Sequence, residues 1–142
     1  MTKKLIVTLK IAIDASIETV WDALVNPVIV AKYMLGAKQE SKFMTNSPIT
    51  WTKNLNGNAF MDHGTILKVS KNKLLKYSHY SPVSGKTDIL ENYAVVTIQL
   101  IRTNGSAMLK LESDNNDSLA EKMDTKKIWK YYMSGLKILC EM

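Results

Sequence analysis

Helical periodicity occurs only near the two ends of this 142-residue chain, and residues 37–113 between them read as strands and turns without a break. Candidate strands are 37–44, 48–54, 64–70, 74–80, 93–102 and 106–113. Asn46-Ser47-Pro48, Asn56-Gly57-Asn58, Lys71-Asn72-Lys73 and Asn104-Gly105 punctuate them. Asn104-Gly105 is the strongest hairpin signal, since a type I′ turn needs positive φ at both central positions. The segment 81–92, with Pro82 and Gly85, is a longer polar connection of the kind that often carries function.

The flanking segments follow different periods. Leu5, Val7, Leu9, Ile11 and Ile13 alternate with mostly polar residues, which predicts one more half-buried strand. Ser16 is placed to cap a helix whose first turn holds Glu18. Ile17, Val20, Trp21, Leu24 and Val25 form its buried stripe. Asn26-Pro27 ends that helix and starts a second, short one, in which Val30, Tyr33 and Met34 are apolar and Gly36 is the stop. Near the C-terminus, Ser118-Leu119-Ala120-Glu121 is a capping box. Trp129, Tyr132, Met133, Leu136 and Cys140 then share one helical face, and Asp124-Thr125 is expected to split the segment in two. Trp21 and Trp129 should both be buried. The order is β-α-α-β6-α, an α+β arrangement in one domain over 1–142, with no repeat and no linker.

Composition excludes several classes. One cysteine, Cys140, permits neither an intramolecular disulfide nor a cysteine-based zinc cluster, and His63 and His79 are too few for a catalytic zinc. No metal or other cofactor is expected. The net charge of +6 comes from 18 lysines spread along the chain and a single arginine, Arg102. Nucleic-acid recognition favours clustered arginines, so the charge reads as a solvated surface. Thr8, Lys10 and Asp14 interrupt the N-terminal apolar run, and no 18-residue apolar stretch exists. A membrane span is therefore not expected, and the location expected is cytoplasmic.

The run Ile13-Asp14-Ala15-Ser16-Ile17-Glu18-Thr19-Val20-Trp21-Asp22-Ala23-Leu24, followed by Asn26-Pro27, resembles the opening of one family. Ser47-Pro48-Ile49-Thr50-Trp51, Gly64-Thr65-Ile66-Leu67-Lys68-Val69 and Leu75-Lys76-Tyr77-Ser78-His79-Tyr80-Ser81-Pro82 fit it too. So do Glu91-Asn92-Tyr93 and the spacing from Trp129 to Leu136-Lys137. These residues resemble the START-like, birch-pollen-allergen (SRPBCC) superfamily. Within it they resemble the family named for the activator of the ninety-kilodalton heat-shock protein's ATPase. The resemblance implies a helix-grip fold, a curved antiparallel sheet wrapped around a long C-terminal helix, with a cavity between them. It implies no single activity, because relatives include lipid and hydrophobic-ligand binders, cyclase-like enzymes and chaperone regulators. Tyr33-Met34, where many relatives carry Trp, and Ala107-Met108-Leu109-Lys110-Leu111, without the threonine-rich alternation, depart from the pattern.

Leu75, Tyr77 and His79 share one face of a strand, and apolar Leu75 turns that face inward. His79 is then either a polar anchor in an apolar pocket or a core histidine satisfied by neighbours. Trp51, Tyr77, His79, Trp129 and Met133 are the residues expected to border the cavity, with Met34, Met123 and Met133 on inner faces. Asp62-His63 reads as a turn-stabilising pair at a strand entry, and Cys140 lacks a base. Asp88, Glu91, Asp114 and Asp117 share no inner face with a second acid, so no catalytic constellation is legible. The expected function is non-catalytic binding of a small hydrophobic or amphipathic molecule. The alternative is a protein-interaction module with a chaperone partner, and a cyclase-like enzyme has the least support.

Overall fold

The computed structural model describes residues 4–142, and seven strands there form one antiparallel sheet. In chain order the elements are β1 (Leu5–Ile13), α1 (Ile17–Val25), α2 (Pro27–Tyr33), β2 (Lys38–Ser41), β3 (Pro48–Leu55), β4 (Asn58–Ser70), β5 (Leu74–His79), β6 (Ala94–Thr103), β7 (Ser106–Asn116) and α3 (Leu119–Glu141). The spatial order is β1-β7-β6-β5-β4-β3-β2. Strands β2 to β7 thus form a meander, while α1 and α2 carry the chain from β1 at one edge to β2 at the other.

Local chemistry sets the element ends. Ser16 Oγ accepts from the Thr19 amide at 3.1 Å, and Asn26 Oδ1 accepts from the Val28 amide at 3.0 Å. Two hairpins close on Asn-Gly pairs in the left-handed region, Asn56-Gly57 (φ 52° and 81°) and Asn104-Gly105 (φ 48° and 85°). Ser118 Oγ accepts from the Glu121 amide at 3.1 Å, as the capping pattern predicts.

Two sequence expectations are corrected. Strand β4 begins at Asn58 rather than at 64, pairing with β3 from Leu55↔Asn58 to Pro48↔Thr65. A two-residue turn at Asn56-Gly57 lets pairing resume at once, whereas polar Asp62 and His63 hide the strand period in the sequence. Helix α3 also runs unbroken through Asp124-Thr125. Thr125 Oγ1 donates to Asn116 Oδ1 at 2.8 Å, so the threonine ties the helix to the end of β7 instead of interrupting it.

The core lies between the concave sheet, α1, α2 and one side of α3. Val20, Val30, Ile49, Ile66, Leu109 and Leu136 are wholly buried, each burial being worth about 1.5–3 kcal/mol relative to exposure. Trp21 is buried as expected, but Trp129 is only half-buried and Met123 is exposed. The helix turns Met123 outward, and its N-terminal half does not lie flush on the sheet at Trp129. A Cβ on Gly64 would sit 1.7 Å from the Ser78 carbonyl oxygen, so β4 and β5 meet this closely only because residue 64 is glycine. Among the described residues no helix is long and apolar enough to cross a membrane.

Candidate functional site

Where α3 stands off the sheet, a cavity of about 570 Å³ opens between them. Strand alternation supplies its floor. Trp51 and Lys53 project from β3, Asp62 from β4, and Tyr77 and His79 from β5. Trp129 and Tyr132 from α3 form the roof, with their rings edge to face at 5.8 Å. The indole of Trp51 is fixed from behind. Its Nε1 donates to Gln39 Oε1 at 2.9 Å, and Gln39 Nε2 donates to the Leu24 carbonyl at 3.0 Å, tying the wall to α1. Trp51 lies 5.1 Å from the Tyr77 ring and 5.3 Å from the His79 ring. Burial, with the nearby Tyr132, raises the Tyr77 phenol above its ordinary range and keeps it protonated.

The floor ends in a charged cluster. Asp62 is 1% exposed, and its Oδ2 accepts from both Lys53 Nζ and His79 Nε2 at 2.9 Å. Burial alone would raise this carboxyl, but the hydrogen bond from His79 and the Lys53 charge outweigh it and bring it down to about 2. The ionised carboxylate accepts only, so His79 Nε2 carries the hydrogen of this bond.

A strap closes one side of the cavity. The 81–92 connection holds two short 3₁₀ turns, Pro82–Ser84 and Leu90–Asn92. Lys86 Nζ lies 2.7 Å from Asp117 Oδ2 and 2.9 Å from Glu121 Oε1, and the Tyr80 hydroxyl donates to the Lys86 carbonyl at 2.6 Å. The strap is therefore pinned to the start of α3.

Of the residues expected to border the cavity, Trp51, Tyr77, His79 and Trp129 are on its wall. Met133 is 2% exposed and packs in the core. Asp62 and His63 are not a turn pair. They face opposite sides of β4, His63 standing 3.2 Å from Asp88 on the other face. An inner-face acid paired with a histidine does exist, at Asp62 and His79, which the sequence reading did not anticipate because β4 starts earlier and turns Asp62 inward. The sequence reading passed over Lys53, although its spacing two residues after Trp51 puts it on the same strand face. Asn115, also on the wall, carried no signal, because it lies in a strand end that the sequence reading closed at 113. Cys140 is buried in the core, which lifts its thiol to about 11 and leaves it protonated at neutral pH. Among the described residues no three of His, Cys, Asp and Glu converge as a metal site requires.

A curved antiparallel sheet gripping a C-terminal helix around a cavity is the helix-grip architecture of START-like (SRPBCC) binding domains. Residues 14–141 match the family described as Activator of Hsp90 ATPase homolog 1-like protein, and the chain belongs to that family. The solved structure of ChR145 from Cytophaga hutchinsonii is similar, with 41% identity and a TM-score of 0.85 over 98% of this chain and 95% of that one. The Aha1 dimer from Colwellia psychrerythraea shares the fold at 18% identity and TM-score 0.76, over 97% of each chain. CalU16 from Micromonospora echinospora does so at 18% and 0.73, over 94% of this chain and 73% of that one. No curated protein matches the chain significantly in sequence.

Proposed function

We propose that this protein binds a small amphipathic molecule, without transforming it, in the cavity between the sheet and α3. The observation that carries the reading is the cavity itself, about 570 Å³ walled by aromatic side chains with a buried charged cluster at one end. Small-molecule sites have this size and this mixture, whereas close-packed interiors leave few voids larger than a water molecule. Trp51, Tyr77 and Trp129 are the proposed apolar contacts and His79 a polar one, with Met133 backing the roof from the core. Covering about 300 Å² of apolar ligand surface is worth about 7 kcal/mol before association costs, which leaves affinities of about micromolar. A thermal-shift screen of fatty acids, aromatic polyketides and flavonoids tests this. A bound ligand raises the melting temperature with its concentration, and Trp129→Ala diminishes the rise. If no compound shifts the transition, the reading fails.

A second reading, a chaperone-interaction module, is supported by the family and by the outer side of α3. Leu119, Met123, Tyr131 and Ile138 are exposed there, at 61–66% of their surface. On this reading the protein co-elutes with the ninety-kilodalton heat-shock chaperone at physiological ionic strength, and separate elution removes it.

A further inference from the structure

One buried tyrosine carries a hydroxyl that the fold does not use. Buried tyrosines normally find a hydrogen-bond partner, and two here do. The Tyr33 hydroxyl donates to the Ala23 carbonyl at 2.7 Å, and that of Tyr80 to the Lys86 carbonyl at 2.6 Å. Tyr77 is 4% exposed and lines the cavity, yet no described residue bonds to its hydroxyl. Among the described residues, the unpartnered polar side-chain atoms sealed from all contact with solvent are Asp62 Oδ1, Asn72 Oδ1 and Asn115 Oδ1. The Tyr77 oxygen is not one of these. It keeps open surface, and the space open to this inner-face ring is the cavity.

The surroundings fix where that hydroxyl points. Tyr77 is paired in the sheet with Ile66 of β4 and Val96 of β6, and its ring lies against Trp51. The phenol oxygen lies on the ring axis, so a ring flip does not move it. Burial and the nearby Tyr132 keep the phenol protonated, so it has a hydrogen to donate. Without a ligand only water can meet that hydrogen. A ligand that covers it with hydrocarbon leaves a donor unpaired, which is costly, whereas one that sets an acceptor there does not. A ligand hydroxyl would bring a hydrogen of its own to place, and a carbonyl or ether oxygen brings none.

The charges on the wall decide between a neutral and an anionic acceptor. Asp62, Asp114, Glu121 and Asp124 line the cavity with Lys53 and Lys86, and both lysines are already paired with carboxylates. His79 directs its Nε2 hydrogen to Asp62. Tyr77 stands two residues before His79 on β5, about 7 Å along the strand, so an acid placed at Tyr77 lies close to this negative charge. A neutral oxygen meets no such repulsion.

We infer that the molecule held in this cavity carries a neutral oxygen acceptor, as in a ketone, an ester or an ether, that takes the hydrogen of the Tyr77 hydroxyl. The inference rests on the cavity-binding reading and adds the ligand class. Calorimetric titration at pH 7 with three naphthalenes of nearly one shape tests it. They are 2-acetylnaphthalene, 2-isopropenylnaphthalene, in which a methylidene group replaces the carbonyl oxygen, and 2-naphthoate. The ketone binds about tenfold tighter than the alkene, and the carboxylate binds weakest. In Tyr77→Phe the ketone falls to the level of the alkene, while the melting temperature does not fall, because the lost hydroxyl bonds to nothing in the fold. Equal binding of ketone and alkene by the wild type, tightest binding of the carboxylate, or a ketone advantage that survives Tyr77→Phe overturns the inference and leaves the cavity reading intact. A clear fall in the melting temperature of Tyr77→Phe shows the hydroxyl already bonded within the protein, and overturns it too. No binding by any of the three, when the wider screen does find a ligand, also overturns the inference alone. Failure of both experiments removes the cavity reading itself.

Discussion

Asp62 and His79 are seventeen residues apart in the chain, yet His79 Nε2 donates to Asp62 Oδ2 at 2.9 Å across the β4–β5 pair. Lys53 reaches the same oxygen from β3, so three neighbouring strands converge on one buried carboxylate.

That convergence gives folding a dependence on acid. The Asp62 carboxyl lies at about 2 in the folded protein against an ordinary 3.8. A depressed carboxyl stabilises the fold above its unfolded value and loses that contribution as pH falls through the folded one. The window therefore runs from about pH 4 down to about pH 2, and the contribution lost is about 2 kcal/mol. Urea unfolding of the wild type and Asp62→Asn at pH 5 and pH 2 measures it. The wild type should lose about 2 kcal/mol more than the variant over that interval. Parallel losses would show that the cluster does not hold the carboxyl down.

The two cavity tryptophans should separate stability from binding. Trp51 is 3% exposed and hydrogen-bonded, so Trp51→Ala should cost about 3–5 kcal/mol. Trp129 is half-buried against open space, and Trp129→Ala should cost only about 1–2 kcal/mol while weakening any cavity ligand. Chemical denaturation together with ligand titration of both variants checks the contrast. Equal stability losses would mean that α3 packs more tightly at Trp129 than its exposure indicates.

Lys86 should matter more for kinetics than for stability. Its pairs with Asp117 and Glu121 are partly exposed, so Lys86→Ala should change global stability by less than about 1 kcal/mol. Freed from α3, the 81–92 strap should exchange its amide hydrogens faster and release a bound ligand faster. Hydrogen exchange and stopped-flow dissociation read these two effects. Unchanged rates would show that the strap is held by its other contacts alone, such as Tyr80 to the Lys86 carbonyl.

Gly64 tests the close approach of β4 and β5. A methyl group there meets the Ser78 carbonyl oxygen at 1.7 Å, so Gly64→Ala must push two paired strands apart. The expected loss is about 3 kcal/mol or more, read from urea midpoints. Gly57→Ala, in an open turn with φ of 81°, should cost only about 1 kcal/mol.

Much of this architecture was legible residue by residue. The alternation of Leu75, Tyr77 and His79, the Ser16 and Ser118 caps, and the Asn-Gly turns act within a few residues of themselves, and each appears in the structure as predicted. The site was legible only in part. Trp51, Tyr77, His79 and Trp129 share its wall, but the polar residues that give it chemical character were missed or misplaced. Asp62 looked like a turn residue because strands normally announce themselves by apolar alternation, and β4 enters the sheet through Asn58, Asp62, His63 and Gly64.

The sequence by itself determined the order of helices and strands and most of their apolar faces, because hydrogen-bonded caps, turn φ values and side-chain period are local properties. Tertiary structure alone decided that α3 stands away from the sheet at Trp129 and closes onto it at Met133 and Leu136. It also decided that Lys53, Asp62 and His79 share one buried hydrogen-bond cluster. These relations depend on strand register, on sheet curvature and on how far a helix stands off its floor. Each is the joint outcome of contacts between segments remote in the chain, and no residue carries it in its own neighbourhood.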